Sequence, residues 1–136
     1  MTVVVDASAV VAALVDSGPE GRWAESLIVA DLAAPQLLPV EVSNVLRRAA
    51  VAGDVTHDVA SLAHADLLAL RIELIPYKLV AGRVWELRHN LTSYDAFYVA
   101  VAELLDAPLA TLDQRLIDAP GPTCTFETLT TPGPVS

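Results

Sequence analysis

The sequence contains a single cysteine, Cys124, and only three histidines. One cysteine excludes an intramolecular disulfide and a thiolate zinc cluster, so Cys124 is expected to be a small buried hydrophobic residue. Aromatic residues make up 5% of the chain and charged residues 18%, whereas 54% are hydrophobic. This composition excludes disordered, coiled-coil and collagen-like classes and is typical of a folded domain.

Long apolar runs are also missing. The longest early run, Ala9 to Val15, is far shorter than the roughly 20 residues that a membrane-spanning helix needs. Asp6 interrupts the first apolar stretch and the first basic residue is Arg22, which does not fit a secretory signal. We therefore expect no membrane segment and a cytoplasmic location.

Basic residues are scarce, because 8 Lys and Arg face 17 Asp and Glu and the net charge is −9. This balance excludes passive binding of nucleic acid over a broad basic face. A bound divalent cation would change the local sign, since a carboxylate cluster that repels phosphate attracts it once a metal ion lies among the carboxylates.

Short apolar segments alternate with helical patterns. Strands are predicted at Thr2 to Asp6, Leu32 to Ala34, Ile72 to Ile75, Leu109 to Leu112 and Thr123 to Phe126. Helices are predicted at Ala9 to Val15, Glu20 to Ala30, Pro39 to Ala52, His57 to Leu70, Lys78 to Arg88, Tyr94 to Leu105 and Gln114 to Asp118. This alternation predicts an α/β fold, a three-layer α/β/α sandwich around a mainly parallel sheet of four to five strands.

Several local signals refine this prediction. Thr56 and Ser93 are expected to be N-caps, and Gly53 is expected to end the helix before it. Both tryptophans, Trp23 and Trp85, are expected in the core, and an apolar helix face at a subunit interface is the alternative position for either. One domain spans residues 1–129, and residues 130–136, which are rich in Pro and Gly, are expected to form a flexible C-terminal tail.

Four acidic residues fall at the ends of predicted elements. Asp6 ends the first strand and Asp113 follows the strand at Leu109 to Leu112, so both are expected at the carboxyl edge of the sheet, where ligands bind in such folds. Asp95 and Glu41 lie in the first turns of two helices. Each acid also has an ordinary interpretation as a helix cap, a partner of a helix dipole or a solvated residue.

Together the four acids predict a site for a hard cation. Carboxylate oxygens suit Mg²⁺ and Mn²⁺, and Mg²⁺ uses few carboxylates and retains water. His57, His64 and His89 lie outside the four acidic segments and offer no zinc alternative.

The segments VVVDAS, PVEVSNVLRR, SYDAFYVAVAE and LATLDQRL, in this order over almost the whole chain, resemble the PIN domain and most closely the VapC toxins of bacterial VapBC toxin–antitoxin pairs. The resemblance implies an α/β/α sandwich and a Mg²⁺- or Mn²⁺-dependent endoribonuclease. It also implies a homodimer and a VapB-type antitoxin that holds the toxin inactive.

The resemblance also assigns roles to residues of this chain. It implies that the catalytic, cation-binding residues are Asp6, Glu41, Asp95 and Asp113. Ser8 and Thr111 match small hydroxyl positions that would orient ligands or water.

Other polar residues lie close to these acids in the sequence. Asn44, one turn after Glu41, either orients that carboxylate, contacts substrate or faces solvent. Arg47, Arg48 and Arg115 are the nearest candidates for contacts with RNA phosphates, and salt-bridged surface residues are an equally good interpretation. Asp118 is interpreted as a surface residue.

Other functions stay open at this point. A metal-dependent DNA nuclease or phosphatase is the main alternative, although an aspartyl phosphatase would carry a second Asp where this chain has Ser8. Another alternative is a module that binds metal and antitoxin without cleaving RNA. Loss of one of the four acids would be the simplest sign of such a module, and all four are present. A receiver-type phosphoacceptor would need paired acids after the first strand and a late lysine, and the only lysine is Lys78.

Overall fold

Strands and helices alternate along residues 1–129, the part of the chain that the computed structural model describes. The strands are β1 (Thr2–Val5), β2 (Asp31–Pro35), β3 (Ile72–Ile75), β4 (Leu109–Ala110) and β5 (Phe126–Glu127). The helices are α1 (Ala7–Val15), α2 (Pro19–Leu27), α3 (Leu38–Ala52), α4 (His57–Ala69), α5 (Ala81–Glu86), α6 (Ser93–Leu105) and α7 (Gln114–Asp118). The predicted tail, residues 130–136, lies outside the described residues.

The five strands form one sheet in the order β3-β2-β1-β4-β5, and every neighbouring pair is parallel. Val3, Val4 and Val5 of the central strand are at most 3% exposed, so both faces of the sheet are covered there. Helix α6, buried throughout Ala96 to Ala102, packs on β1, β2 and β4, while α1 to α4 pack against one another. The predicted α/β/α sandwich is confirmed.

Two of the predicted helix signals are confirmed by local geometry. Gly53 ends α3 with a φ of 82°, a left-handed conformation that glycine adopts without strain. Thr56 is the N-cap of α4, and its hydroxyl accepts a hydrogen bond from the Val59 amide at 3.1 Å.

The N-cap predicted for α6 is wrong by one residue. Thr92, not Ser93, precedes the helix, and its hydroxyl accepts a hydrogen bond from the Asp95 amide at 3.2 Å. The spacing Thr92 to Asp95 is that of a capping box, which Ser93 followed three residues later by Ala96 cannot make.

The helix predicted at Lys78 to Arg88 is broken into three pieces. The 3₁₀ turns Tyr77–Leu79 and Leu87–His89 flank α5. Val80 has a φ of −125° and a ψ of 7°, outside the helical region, and its side chain is 4% exposed. Turning Val80 into the core therefore interrupts the helix that its neighbours would otherwise continue.

Three other predicted boundaries are also corrected. Helix α2 ends at Leu27, before the predicted Ala30, because the Asp31 amide already bonds to the Met1 carbonyl as β2 joins β1. The chain leaves β4 before the predicted Leu112, because the Leu112 amide bonds to a side chain instead of a strand. The last strand starts only at Phe126.

The two tryptophans differ in environment. Trp23 is partly buried against the core, as predicted, but Trp85 is 64% exposed and the Arg88 guanidinium stacks 4.7 Å from its ring centre. Cys124 is partly buried against the core, and burial raises the pKa of its thiol to about 11. Every helix within residues 1–129 is too short or too polar to cross a bilayer.

Candidate active site

Four carboxylates meet where the parallel strands end, and we call them the acidic cluster. Its members are Asp6, Glu41, Asp95 and Asp113. Asp6 directly follows β1 and Asp113 follows β4, the parallel neighbour of β1. Asp95 and Glu41 enter from the first turns of α6 and α3. The structure places each predicted acid within electrostatic range of two others: Asp6 and Asp95 are each near Asp113 and Glu41.

Burial is the main cause of the raised pKa values in the acidic cluster. It raises the pKa of Asp6, Glu41 and Asp95, because each carboxylate loses water on folding. The charge of Asp113 raises the pKa of Asp6 and of Asp95 further. The charges of Asp95 and Asp6 do the same to Glu41. The carboxylates therefore repel one another, and within residues 1–129 only the charge of the exposed Arg115 opposes this effect, by lowering the pKa of Asp95.

Asp6 is the most fully hydrogen-bonded member. It is 7% exposed, and it is also the N-cap of α1. Its Oδ1 accepts hydrogen bonds from Ser8 Oγ at 2.6 Å and from the Ala9 amide at 3.0 Å, while its Oδ2 accepts one from the Thr111 hydroxyl. A carboxylate has about four acceptor positions, so one position on Oδ2 stays open to a ligand.

Ser8 and Thr111 join the ends of the two central strands. The Ser8 hydroxyl accepts a hydrogen bond from the Leu112 amide at 3.0 Å, and the fully buried Thr111 hydroxyl accepts one from the Asp113 amide at 3.0 Å. Each hydroxyl therefore donates to Asp6 and accepts from the segment that carries Asp113. These contacts fix the separation of the two strand-end acids.

Glu41 has no such support. Its Oε1 is buried and has no hydrogen-bond partner within the described part of the chain. Tyr98, one turn after Asp95 on α6, is 2% exposed, and its hydroxyl also has no partner there. The hydroxyl faces the Glu41 carboxyl, although the two groups do not meet hydrogen-bond geometry.

Sequence reasoning missed Tyr98. The signal was a phenol hydroxyl in an otherwise apolar helix stripe, at the i+3 position from Asp95, where the two side chains share a face. A buried tyrosine hydroxyl normally requires a polar partner, which would have directed attention to the acids.

Asp113 is both the N-cap of a helix and a member of the acidic cluster. Its Oδ1 accepts a hydrogen bond from the Arg115 amide at 3.0 Å at the start of α7. The Arg115 guanidinium pairs with Oδ2 at 3.3 Å, but this side chain is 90% exposed, so the ion pair is a weak surface contact. For Asp6 and Asp113, capping and membership of the acidic cluster therefore coexist.

The other predicted site residues lie on the surface. Asn44 is exposed and accepts a hydrogen bond from Arg47 Nε at 3.1 Å, in place of a contact with Glu41. Arg47 and Arg48 are both exposed. Asp118 is exposed as predicted and accepts a hydrogen bond from Gln114 at 2.9 Å.

An open groove of about 540 Å³ begins beside the acidic cluster. Ser8, Val11, Val45 and Leu112 are among the residues that line it, so its wall is largely apolar. A larger groove of about 860 Å³ opens at the opposite edge of the sheet, where the strands begin, and it holds none of the four acids. None of the four acids lines the smaller groove either, but Ala7, Ser8 and Leu112, the sequence neighbours of Asp6 and Asp113, do, so this groove lies beside the acidic cluster.

A hard divalent cation fits these residues. As placed, no three carboxylate, imidazole or thiol groups of residues 1–129 are close enough to hold a metal ion. The donors are nevertheless carboxylate oxygens, and Glu41 Oε1 is a buried acceptor that lacks a donor. Because Mg²⁺ binds through one or two carboxylates and keeps several waters, the acids need not contact one another to share it.

The PIN domain family model matches residues 3–122 of the chain. This match covers both strand-end acids and both helix-borne acids of the acidic cluster. The chain belongs to the PIN-domain family.

Within this family the chain is similar to VapC ribonucleases. Ribonuclease VapC1 from Mycobacterium tuberculosis is 42% identical over 123 residues, which are 89% of this chain and 92% of that protein. Ribonuclease VapC9 from the same species is 39% identical over 117 residues, 85% of this chain and 89% of that protein. The crystal structure of PAE2754 from Pyrobaculum aerophilum has a TM-score of 0.64 at 28% identity, covering 85% of this chain and 77% of that one. The predicted family is confirmed.

Proposed function

We propose that this protein is a Mg²⁺- or Mn²⁺-dependent endoribonuclease and the toxin of a type II toxin–antitoxin pair. The observation that carries the proposal is the acidic cluster, in which carboxylates from four chain segments lie at one edge of the sheet and raise one another's pKa. Relatives named VapC ribonucleases, at 42% and 39% identity, support RNA as the substrate.

The acidic cluster would hold the cation. Asp6, Asp95 and Asp113 would hold one or two cations, in part through water because no three of the carboxylates are close enough to share one ion directly, and Glu41 would bind directly or through water. When bound, Mg²⁺ or Mn²⁺ lowers the pKa of a water molecule and offsets the charge that gathers on the phosphoryl and leaving oxygens.

Within residues 1–129, the hydroxyl beside Asp6 at the groove is not a free nucleophile. The Ser8 hydroxyl, the nearest candidate, already donates to Asp6 and accepts from Leu112. Water is therefore the proposed nucleophile. It forms a new bond to phosphorus, the bond from phosphorus to the 3′ oxygen breaks, and the 3′ oxygen receives a proton.

This bond cleavage predicts specific product ends. One product carries a 5′-phosphate and the other a 3′-hydroxyl. Attack by the RNA's own 2′-hydroxyl would instead leave a cyclic phosphate. Chemical analysis of the product ends distinguishes these two routes.

Contacts with RNA phosphates are proposed for three exposed arginines. Arg115 pairs with Asp113 in the free protein, and its exposed side chain is able to turn toward a phosphate without a large loss of stability. Arg47 and Arg48 lie further along α3 from Glu41. The net charge of −9 restricts such contacts to local patches, and a homodimer would join two of them into one groove.

The activity is tested by incubating antitoxin-free protein with total cellular RNA in Mg²⁺ or Mn²⁺. Wild-type protein should give discrete cleavage products, and EDTA should abolish them. Asp95→Asn should lower the cleavage rate by more than about 100-fold. Removing a residue that only supports a metal ligand lowers activity by about 10- to 100-fold, and removing the ligand itself should have a larger effect. Asp118→Asn, an exposed acid near the site in sequence, is the matched control and should cleave like wild type.

Other results would replace the proposal. Folded protein that binds Mn²⁺ and leaves RNA intact would indicate a non-cleaving binding module. Cleavage of DNA, or hydrolysis of phosphomonoesters, in place of RNA cleavage would indicate one of the alternative enzymes. Cleavage unaffected by Asp95→Asn would place the active site elsewhere.

The proposed partner is a VapB-type antitoxin in the cytoplasm, where the RNA also resides. The product of the neighbouring open reading frame should co-purify with this protein and suppress its cleavage of RNA. A neighbouring product that neither binds nor inhibits would contradict the toxin assignment and leave a nuclease without an antitoxin.

A further inference from the structure

Within residues 1–129, two buried polar atoms of the site lack hydrogen-bond partners and face each other. One is Oε1 of Glu41 and the other is the hydroxyl of Tyr98. Buried polar atoms are almost always hydrogen-bonded, and an unpaired one costs free energy. The two atoms are matched as donor and acceptor, so a small movement of either side chain, such as binding of a cation to Glu41 would cause, pairs them.

We infer that Tyr98 is a positioning residue, whose buried hydroxyl donates a hydrogen bond to Glu41 Oε1 when the cation binds and so directs the second carboxylate oxygen toward the shared cation site. The inference rests on the proposed function, because it concerns the same site. It adds a residue from the second turn of α6 to the four acids.

The surroundings of Tyr98 fit a donor. Its hydroxyl lies within electrostatic range of Glu41, Asp6 and Asp95, and these charges together with burial raise the pKa of the phenol. A phenol is un-ionised at neutral pH in any case, and beside a carboxylate its hydroxyl is the donor.

Asp6, the other buried acid, shows the effect of hydrogen bonds on the orientation of a carboxylate. Asp6 receives hydrogen bonds from two hydroxyls and one amide, and only one acceptor position on Oδ2 remains free. Glu41 has no comparable donor within residues 1–129 except the Tyr98 hydroxyl that faces it. Hydrogen bonds of this kind orient a ligand and tune its basicity.

Tyr98→Phe removes the hydroxyl and keeps the ring that fills the core. We expect this variant to bind Mn²⁺ about 10- to 100-fold more weakly by titration calorimetry, the usual effect of removing a hydrogen bond to a ligand. Tyr77→Phe is the matched control, because Tyr77 is 46% exposed and its ring packs edge-on against Phe97. Its Mn²⁺ affinity should equal that of wild type.

A double-mutant cycle separates positioning from general damage to the fold. If Tyr98 acts through Glu41, Tyr98→Phe should weaken Mn²⁺ binding in the wild-type background and have little further effect in the Glu41→Gln background. An equal loss in both backgrounds would indicate a structural role and overturn the inference. The unfolding temperature of each metal-free variant, measured alongside, shows that the proteins compared are folded.

The remaining outcomes are also distinct. Wild-type protein that binds Mn²⁺ and cleaves RNA, with Tyr98→Phe indistinguishable from it, would overturn the role of Tyr98 and leave the proposed function intact. Folded wild-type protein that binds neither Mn²⁺ nor Mg²⁺ would overturn the metal-dependent function, and the role of Tyr98 with it.

Discussion

Asp6 and Glu41 are two buried carboxylates with opposite degrees of support. Asp6 accepts three hydrogen bonds, from Ser8, Ala9 and Thr111, and these oppose the effect of burial on its pKa. Glu41 has a buried oxygen with no partner among the described residues and lies near two other carboxylates. In the absence of a cation, Glu41 is therefore a destabilising residue that function retains.

Glu41→Gln should stabilise the metal-free protein while impairing cleavage. The change removes a partly buried charge close to Asp95 and Asp6, so we expect the free energy of unfolding near pH 7.5 to rise by about 0.5–2 kcal/mol. RNA cleavage should fall at the same time. Urea unfolding in EDTA measures the first effect, with the exposed Glu25→Gln expected within about 0.5 kcal/mol of wild type. A Glu41→Gln protein less stable than wild type would show that Glu41 already has a stabilising partner.

At the residue scale, the spacing of the motifs and the predicted sheet topology were enough to place the four acids at one edge of the sheet. Asp6 and Asp113 follow strands, and the parallel arrangement of those strands required their proximity. The roles of Asn44 and Arg115 could not be predicted in the same way, because each forms a short local contact, with Arg47 and Asp113 respectively. Such contacts depend on rotamers that no sequence pattern specifies.

Among the helices, α6 carries both Asp95 and the most deeply buried apolar stretch. Its first turn is held by Thr92, whose hydroxyl accepts from the amide of Asp95 itself. The same contact that starts the helix therefore sets the position of a cluster carboxylate.

Thr92→Ala should lower the free energy of unfolding by about 1 kcal/mol, the typical effect of losing an N-cap. Ser93→Ala should change it by less than about 0.5 kcal/mol, because Ser93 is an exposed residue of the first turn and not the cap. Chemical denaturation of the two variants compares them directly. A larger loss for Ser93→Ala than for Thr92→Ala would mean that Ser93 is the cap after all.

A second polar contact ties α5, α6 and the segment before β5 together. Glu103 accepts hydrogen bonds from Arg83 Nε at 2.7 Å and from the Thr123 amide at 2.8 Å. Burial alone would raise the pKa of Glu103, but these hydrogen bonds outweigh it and the pKa is lowered. The ionised Glu103 carboxylate therefore stabilises the folded protein.

Glu103→Gln should cost about 1–3 kcal/mol of folding free energy at pH 7, the range for hydrogen bonds to charged groups. Because the folded pKa lies below the unfolded value of about 4.3, this stabilisation is present above that pH and is lost as the pH falls through the folded pKa. Denaturation of both proteins between pH 7 and pH 3.5 measures the difference. A difference that stays constant over this range would contradict an ionic contribution from Glu103.

At the scale of elements, long apolar-periodic segments were predictable and short ones were not. Helices α3 and α4 begin and end close to their predicted residues because their caps lie next to them in sequence. The ends of β4 and β5 depend on distant side chains: Ser8 binds the amide of Leu112, and Glu103 binds Thr123. Contacts that span 104 and 20 residues leave no local signal.

For the whole molecule, topology and charge act together. Placing β1 and β4 side by side at the centre of the sheet brings residues 6 and 113 to one edge, and α3 and α6 add residues 41 and 95. The resulting concentration of negative charge in a chain of net charge −9 would repel RNA. On the proposed function, a divalent cation among the carboxylates would reverse the sign of the charge at the point where the phosphodiester approaches.

The most direct test of this conclusion is to locate Mn²⁺ in crystals of the protein by its anomalous scattering. We expect a peak among the four carboxylates, about 2.0–2.2 Å from oxygens that include Asp6 Oδ2, distances typical of carboxylate ligands to such cations. The same peak should be lost in Asp95→Asn crystals. A map without a peak at the acidic cluster, at a Mn²⁺ concentration that sustains RNA cleavage in solution, would contradict a cation-binding role for these four residues.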